Sequence, residues 1–239
     1  MCDPSLIPAR AGIVHPVLVL IPPDEDQDPA ISRVFSNAEN MKYLMFMMRP
    51  GGLSLEGARA KRRDRDERQL KKELLNYTIA LKRSQIPAHI LDSIGSDEFL
   101  PPRQIPIDGG CIDMDEPYFI AGCCGLNNVD IMNHSCEAGI IIDRRLWRSG
   151  LSSVSLYLTL KHGFETLHMH RIGLVTTGAN VGMRGWMENV VGVSVECIRK
   201  EALFLGNNTY IDAWNYAMFD HQWHGGIEQR LQERVKKYI

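Results

Sequence analysis

The sequence has no G-x-x-x-x-G-K-[ST] and no G-x-G-x-x-G, so it carries neither a P-loop nor a dinucleotide-binding fingerprint. No apolar run approaches the roughly 20 residues that span a bilayer, which argues against a membrane helix. Met1-Cys2-Asp3-Pro4 lacks the basic and apolar regions of a secretory leader. Basic charge is not in excess: 27 Lys and Arg stand against 29 Asp and Glu, a net charge of -2, which argues against nucleic acid as a partner. The six cysteines (Cys2, Cys111, Cys123, Cys124, Cys136, Cys197) show no C-x-x-C and no disulfide-framework spacing, so reduced thiols in a cytoplasmic protein are expected. His221 and His224 have no carboxylate or cysteine cluster around them, and no metal is expected.

What is present is the make-up of a globular domain: 239 residues, 44% hydrophobic and 23% charged, enough for one sizeable core. Residues 17–21 read as a strand stopped by Pro22-Pro23, after an irregular lead-in over 1–15. The acidic run 24–28 precedes a helix with Ile31, Val34 and Phe35 on one face. Residues 37–48 are rich in methionine. Ser54 loosely caps a charged helix in which Arg62 with Asp66, and Arg63 with Glu67, have i,i+4 spacing. Strands are expected at 77–81 and 118–126, the second with Gly122 and Gly125 where a bulge or a close backbone approach fits. The stretch 84–115 between them, about thirty residues rich in Pro and Gly, reads as a long loop. Met183, Trp186, Met187, Val190 and Val191 mark an amphipathic helix. Residues 193–205 and 209–219 form a hairpin about Gly206-Asn207-Asn208, and a last helix covers 227–238.

Residues 137–180 are the most informative. Three isoleucines in a row within 139–143 suit a strand buried on both faces. Leu156, Leu160, Phe164 and Leu167 recur at intervals of three to four, which predicts a helix with one apolar face. Between them lies Arg148-Ser149-Gly150-Leu151-Ser152-Ser153. Small residues at a helix N-terminus leave backbone N–H groups free, and these donors act with the helix dipole to favour an anion such as phosphate.

The hexapeptide Trp147-Arg148-Ser149-Gly150-Leu151-Ser152 resembles the [QR]-x-x-G-x-[GA] turn of the GNAT superfamily of acyl-CoA N-acyltransferases, with Trp147 in place of Gln/Arg and Ser152 in place of the last small residue. The likeness continues in order over roughly two-thirds of the chain. Residues 167–172 resemble the "L-x-L-H-R-I" of the branch containing the ribosomal-protein alanine N-acetyltransferases, and residues 195–199 its "x-E-G-x-x-R". Gly206, Asp212, Tyr216 and Trp223 fall on its "G-x-x-x-D-x-x-x-Y…W" tail, and residues 122–137 on its "I-G-x-x-G-L-x-x-V-D…N-x-x-x-E".

This resemblance implies an α/β fold: a central splayed, mixed sheet of about seven strands with helices on both faces. It implies a single domain over 1–239, with 84–115 an atypical insertion that could cover the acceptor site or make a homodimer contact. It implies acetyl-CoA as acyl donor and no metal. Arg148, Ser149, Gly150, Leu151, Ser152 and Ser153 would hold the pyrophosphate, and Asn180 with the backbone of Ile140, Ile141 and Ile142 the pantetheine. The methionine-rich 37–48 would line the acceptor pocket.

Acyl transfer to an amine requires a neutral amine, a polarised carbonyl and a tolerated thiolate. An alkylammonium has a pKa near ~10, so a base assists. Glu137 lies two residues before Gly139, on the same strand face, and is the candidate base, with a structural ion pair as the competing role. Backbone N–H groups of the 139–143 strand can polarise the carbonyl. The family's leaving-group tyrosine falls at Met187, which cannot donate a proton. His168, His170, Glu196, Asp212 and Tyr216 are expected to be structural, and Cys123 and Cys124 have no histidine signature for nucleophilic catalysis. The expected function is acetyl transfer to the primary amine of a small molecule. The alternatives are Nα-acetylation of a protein N-terminus and a non-catalytic CoA-binding protein.

Overall fold

The computed structural model describes residues 11–48 and 50–238. Cys2 and most of the lead-in lie outside them. The chain opens with a small hairpin, β1 (Ile13–His15) and β2 (Leu18–Ile21), then α1 (Asp28–Ser36), α2 (Ala38–Met41), a 3-10 turn at Met45–Met47 and α3 (Leu55–Leu70). β3 (Leu75–Lys82) leads into residues 84–115, which hold α4 (Ala88–Leu91), a two-residue β4 (Phe99–Leu100) and the hairpin β5 (Arg103–Ile107) with β6 (Gly110–Met114). The long pair β7 (Tyr118–Asp130) and β8 (Ser135–Ile142) follows, then α5 (Leu151–Lys161), β9 (Arg171–Thr177) and α6 (Val181–Gly185). The chain ends with β10 (Val195–Gly206), β11 (Thr209–Phe219), α7 (Asp220–Gln222) and α8 (Glu228–Val235).

The main sheet has nine strands in the order β1-β2-β3-β7-β8-β9-β11-β10, with β4 added beside β7. β2, β3, β7, β8, β10 and β11 lie where the sequence predicts strands, β9 completes the seven of the expected sheet, and β1 and β4 are short additions. Every pairing is antiparallel except β8 with β9, which is parallel and so needs the α5 crossover. Its register stops after three pairs, Ser135 with Arg171, Cys136 with Ile172 and Glu137 with Gly173. Beyond Glu137 the two strands part, and the sheet is splayed there.

Side-chain alternation divides the core between the two faces. Ile141 packs with Val34, Phe35, Met41, Leu53 and Ala58 from the α1–α3 layer, while Ala138 and Ile142 pack with α5. The α1–α3 layer is tied down by Ser36, whose hydroxyl donates to Leu53 O (3.0 Å) and accepts from Leu53 N (2.9 Å). Ser54 caps α3 by accepting from Gly57 N (3.0 Å). Arg62 spends its guanidinium mainly on buried Asp28 (3.0 Å), with Asp66 at 3.8 Å, and no Arg63–Glu67 pair occurs among the described residues. The tertiary partner wins because Asp28, out of water, needs a cation more than a surface carboxylate does.

The α5 helix differs from its expected one-sided pattern. It is buried over Leu151 and from Ser153 to Leu160, because the sheet covers one side and α8 the other. Trp223 fixes the α8 side: its fully buried ring stacks on Phe164 (5.1 Å, 24°) and Tyr157 (6.2 Å, 26°), and its Nε1 donates to Glu165 (3.1 Å). The helix also closes differently, ending at Lys161 in a π-turn, His162–Thr166.

Two groups make this fold sensitive to acid. His162 is held edge-on to Tyr77 (6.4 Å, 89°), and its Nε2 has no partner among the described residues. Burial pushes its pKa down to about 4. Glu98, in the inserted segment, receives both Arg145 guanidinium N–H groups (2.9 and 2.8 Å) and lies 2.9 Å from Arg33, which clamps the segment to α1 and the end of β8. The bond from Arg145 holds the Glu98 carboxyl down at about 2. Both groups are depressed in the folded state, so the unfolded chain takes up protons first and stability is lost as pH falls. The histidine acts as pH falls from about 6.5 toward 4, and is worth about 3 kcal/mol across that window. Glu98 acts from about 4.5 toward 2. We expect the thermal midpoint to drop on acidification below neutrality, and His162→Phe to flatten the upper limb while Glu98→Gln flattens the lower one. A midpoint in His162→Phe that tracks the wild type between pH 7 and 4 would refute this.

Candidate active site

The splay leaves the end of β8 paired with β7 on one side and with no ladder partner in β9 on the other. Asp143 N donates to Ala121 O (2.8 Å), so strand alternation turns Ile141 and Asp143 toward β7 and the backbone groups of Ile140 and Ile142 the other way. There the β9 register has already ended. Trp147 Nε1 donates to Ile142 O (2.9 Å), and Ile140, beyond the last β9 pair, turns its N–H and C=O toward the wedge-shaped gap between the two strands. Of the three isoleucines, Ile141 contributes a side chain to the α1–α3 core and no free backbone group. Gly122 explains how the neighbouring strand accommodates this: its φ of +151° and the register shift beside it make a bulge, and a Cβ there would strike Ile141 O.

At the end of β8 the chain turns into α5. Arg148 (φ 64°) and Gly150 (φ 91°) both have left-handed backbones, a nest-like arrangement in which successive N–H groups converge. Gly150 occupies the cap position of α5 with no side-chain cap. Leu151 N reaches Ser149 Oγ only at 3.5 Å, and the N–H groups of Gly150, Ser152 and Ser153 have no acceptor among the described residues. Orphan N–H donors and the helix dipole together favour an anion at such a turn. Arg148 is exposed, with no carboxylate partner among the described residues, whereas Arg144 lies 3.7 Å from Glu39 and Arg145 is committed to Glu98 and Asp143.

The side chains of this turn are used internally. Ser149 Oγ donates to Leu146 O (2.6 Å), Leu151 is buried, and Ser153 Oγ accepts from Trp186 Nε1 (3.1 Å), which links α5 to the helical turn after α6 across the wedge. Asn180 caps α6 by accepting from Met183 N (3.2 Å) and donates to Thr176 Oγ1 (3.0 Å). That places it at the end of β9, on the opposite lip of the wedge from Ile140.

Glu137 forms the last pair of the parallel ladder, at the apex of the wedge. It is exposed and accepts from Asn128 Nδ2 at 3.3 Å; no cation pairs with it among the described residues. The competing ion-pair role therefore has no partner to support it. Met187 is fully buried in the core. Beside it, Glu188 accepts from the Tyr216 hydroxyl (2.6 Å), and burial raises that phenol's pKa. Glu196 is spent on Arg171 (2.7 Å), and Asp212 on Lys200 (2.8 Å) and Glu201 N (3.0 Å), where it holds the bulge of β10. Among the described residues no group of three or more His, Cys, Asp or Glu is arranged to hold a metal. No described helix is long and apolar enough to cross a membrane.

Sequence reasoning missed three parts of this site. Trp147, besides opening the turn, stacks on Tyr43 (6.1 Å, 16°) and brings the end of α2 to the end of β8. By spacing alone Trp186 is an apolar helix position, with no sign of its bond to Ser153. The ring of Tyr238 covers Gly150 so closely that a Cβ there would overlap it. No local pattern announces a contact between the last residues of the chain and its middle.

The fold has clear structural relatives. One is RimJ of Mycobacterium smegmatis in complex with CoA-disulfide, 14% identical, with TM-score 0.68 over 95% of this chain and 94% of that one. Others are a GCN5-related N-acetyltransferase from Brucella melitensis (14%, TM-score 0.66, 95% and 86%) and spermidine N-acetyltransferase from Vibrio cholerae with CoA and spermine (15%, TM-score 0.63, 88% and 99%). No curated protein matches the sequence. Residues 18–190 match the family described as Acetyltransferase (GNAT) domain, and the chain, most of which that match spans, belongs to the GNAT acetyltransferase family.

Proposed function

We propose that the protein transfers an acetyl group from acetyl-CoA directly to the primary amine of a small molecule. The observation that carries this reading is the end of the β8–β9 ladder at Glu137, which leaves Ile140 with no ladder partner in β9, between an uncapped helix start and an exposed carboxylate. The turn suits the donor: Gly150, Ser152 and Ser153 offer N–H groups and Arg148 an exposed cation for phosphate, and Asn180 follows β9 on the far side. We read residues 84–115 as an insertion into one such domain over 1–239.

Bound acetyl-CoA supplies an activated carbonyl and a thiolate as leaving group. The chain's own groups then have distinct tasks. Ile140 N–H points into the wedge and polarises the acyl oxygen there. Glu137, at the apex, draws a proton from the incoming ammonium, directly or through one water. Its exposure suits this role, because the proton must pass on to solvent. Met187 gives nothing to the leaving sulfur, and solvent protonates it. Purified protein with acetyl-CoA and a panel of primary amines is expected to release free thiol in an amine-dependent manner. No release with any amine would overturn the reading in favour of a CoA-binding protein without catalysis.

The second reading, acetylation of a protein N-terminus, draws on the RimJ likeness. It predicts that a peptide acceptor outperforms every small amine.

A further inference from the structure

We infer that the acceptor carries one ammonium group on an apolar body, and that polyamines are poor acceptors. This rests on the acetyl-transfer reading above and names the class of amine within it.

The register places the acceptor side. The face of β8 that bears Glu137 and Gly139 continues across Gly173 and Val175 of β9 and Ala213 and Asn215 of β11. The α1–α3 layer covers β8 on this face, and its core includes no residue of β9 or β11. β11 pairs with β9 up to Ala213 and Thr177 and then runs on to Thr209, so the β10–β11 hairpin overhangs the mouth of the wedge. β10 also contacts the turn Met45–Met47. That turn follows α2, which is fastened to the end of β8 by Arg144 N donating to Asn40 Oδ1 (2.8 Å). The open strip of sheet is thereby walled on two sides, by the methionine turn and by the hairpin.

The walls are apolar. Met45 is 50% exposed, Leu44 half-buried, and Leu203 pairs with Ile211 on the hairpin, both half-buried. Methionine adapts to varied apolar shapes, which suits a site for a class of amines. Among the described residues that the strand register places on this face, one carboxylate is left for an ammonium. Among the described residues Glu137 has no cation partner, Glu196 is neutralised by Arg171 at 2.7 Å, and Arg199, paired with Ala213 on the same face, has no carboxylate partner. A second or third ammonium on the acceptor would meet apolar side chains or a guanidinium, and desolvating it without a partner is costly.

Initial rates at saturating acetyl-CoA, with 2-phenylethylamine, spermidine and a short peptide with a free N-terminus, test this. We expect kcat/KM for 2-phenylethylamine to exceed that for spermidine by at least roughly tenfold, and for the peptide as well. Met45→Glu is expected to shrink the first ratio at least severalfold while acetyl-CoA affinity stays unchanged; Leu203→Glu serves as a second probe if that variant folds poorly. Spermidine or the peptide matching the aryl amine, or a ratio unmoved by both variants, would overturn the proposal. No thiol release with any amine would instead defeat the reading on which it rests.

Discussion

Gly150→Glu is expected to lower acetyl-CoA affinity at least about 100-fold, a loss of about 3 kcal/mol from unmade phosphate bonds and charge repulsion. Strain and charge both act in this variant, and they can be separated. Gly150 has φ 91°, where any side chain strains the backbone, and a Cβ at this position runs into the Tyr238 ring. Gly150→Ala carries that steric burden without the charge, and about a tenfold loss is expected. Removing the ring in a Gly150→Ala, Tyr238→Ala double variant should return part of this tenfold. Gly150→Glu with Tyr238→Ala should stay near the full loss, since the carboxylate still opposes phosphate at the helix N-terminus. Calorimetric titration of the four variants decides the matter. A Gly150→Glu protein that is folded and binds like the wild type would mean the turn does not hold the donor.

The second large effect is on turnover. Glu137→Gln keeps the side chain's shape and its contact with Asn128 but removes the proton acceptor. The loss in kcat/KM should be about 100- to 10,000-fold near neutral pH, with acetyl-CoA affinity unchanged. The pH dependence is the sharper readout. Without the base, only the free-amine fraction reacts, so the rate of the variant should climb with pH toward the acceptor's own pKa. A variant that keeps wild-type kcat/KM and pH profile would remove Glu137 from the mechanism and leave amine deprotonation to solvent.

Much of the fold is visible in local sequence because local physics governs it. The isoleucine run of β8 lies where a strand is covered on both faces, and Asn207-Asn208 take left-handed turn geometry (φ 49° and 54°) between two β-rich runs. The glycine-bearing turn before α5 shows itself because backbone freedom and a helix start coincide in one hexapeptide. Long-range contacts show no such local sign. The indole of Trp147 on Ile142, the link from Trp186 to Ser153 and the ring of Tyr238 on Gly150 join segments that no spacing rule connects. The hairpin in residues 103–114 had a usable signal, Asp108-Gly109 between two extended runs, which the surrounding prolines masked. The one-sided pattern expected for α5 failed for a tertiary reason: α8 covers the side that would otherwise face water, and Ser155 and Thr159 are carried inward with the leucines.

The central claim is direct acyl transfer at a splayed strand, from donor to amine without passing through the protein. Acetyl-CoA carrying an isotopic label in the acetyl group tests it most directly, with acid quench and mass analysis of both protein and small molecules. The account predicts label on the amine, one free thiol for each labelled product, and none on the chain at any time point. Label held covalently by the protein, or thiol released with no labelled amine, would contradict it.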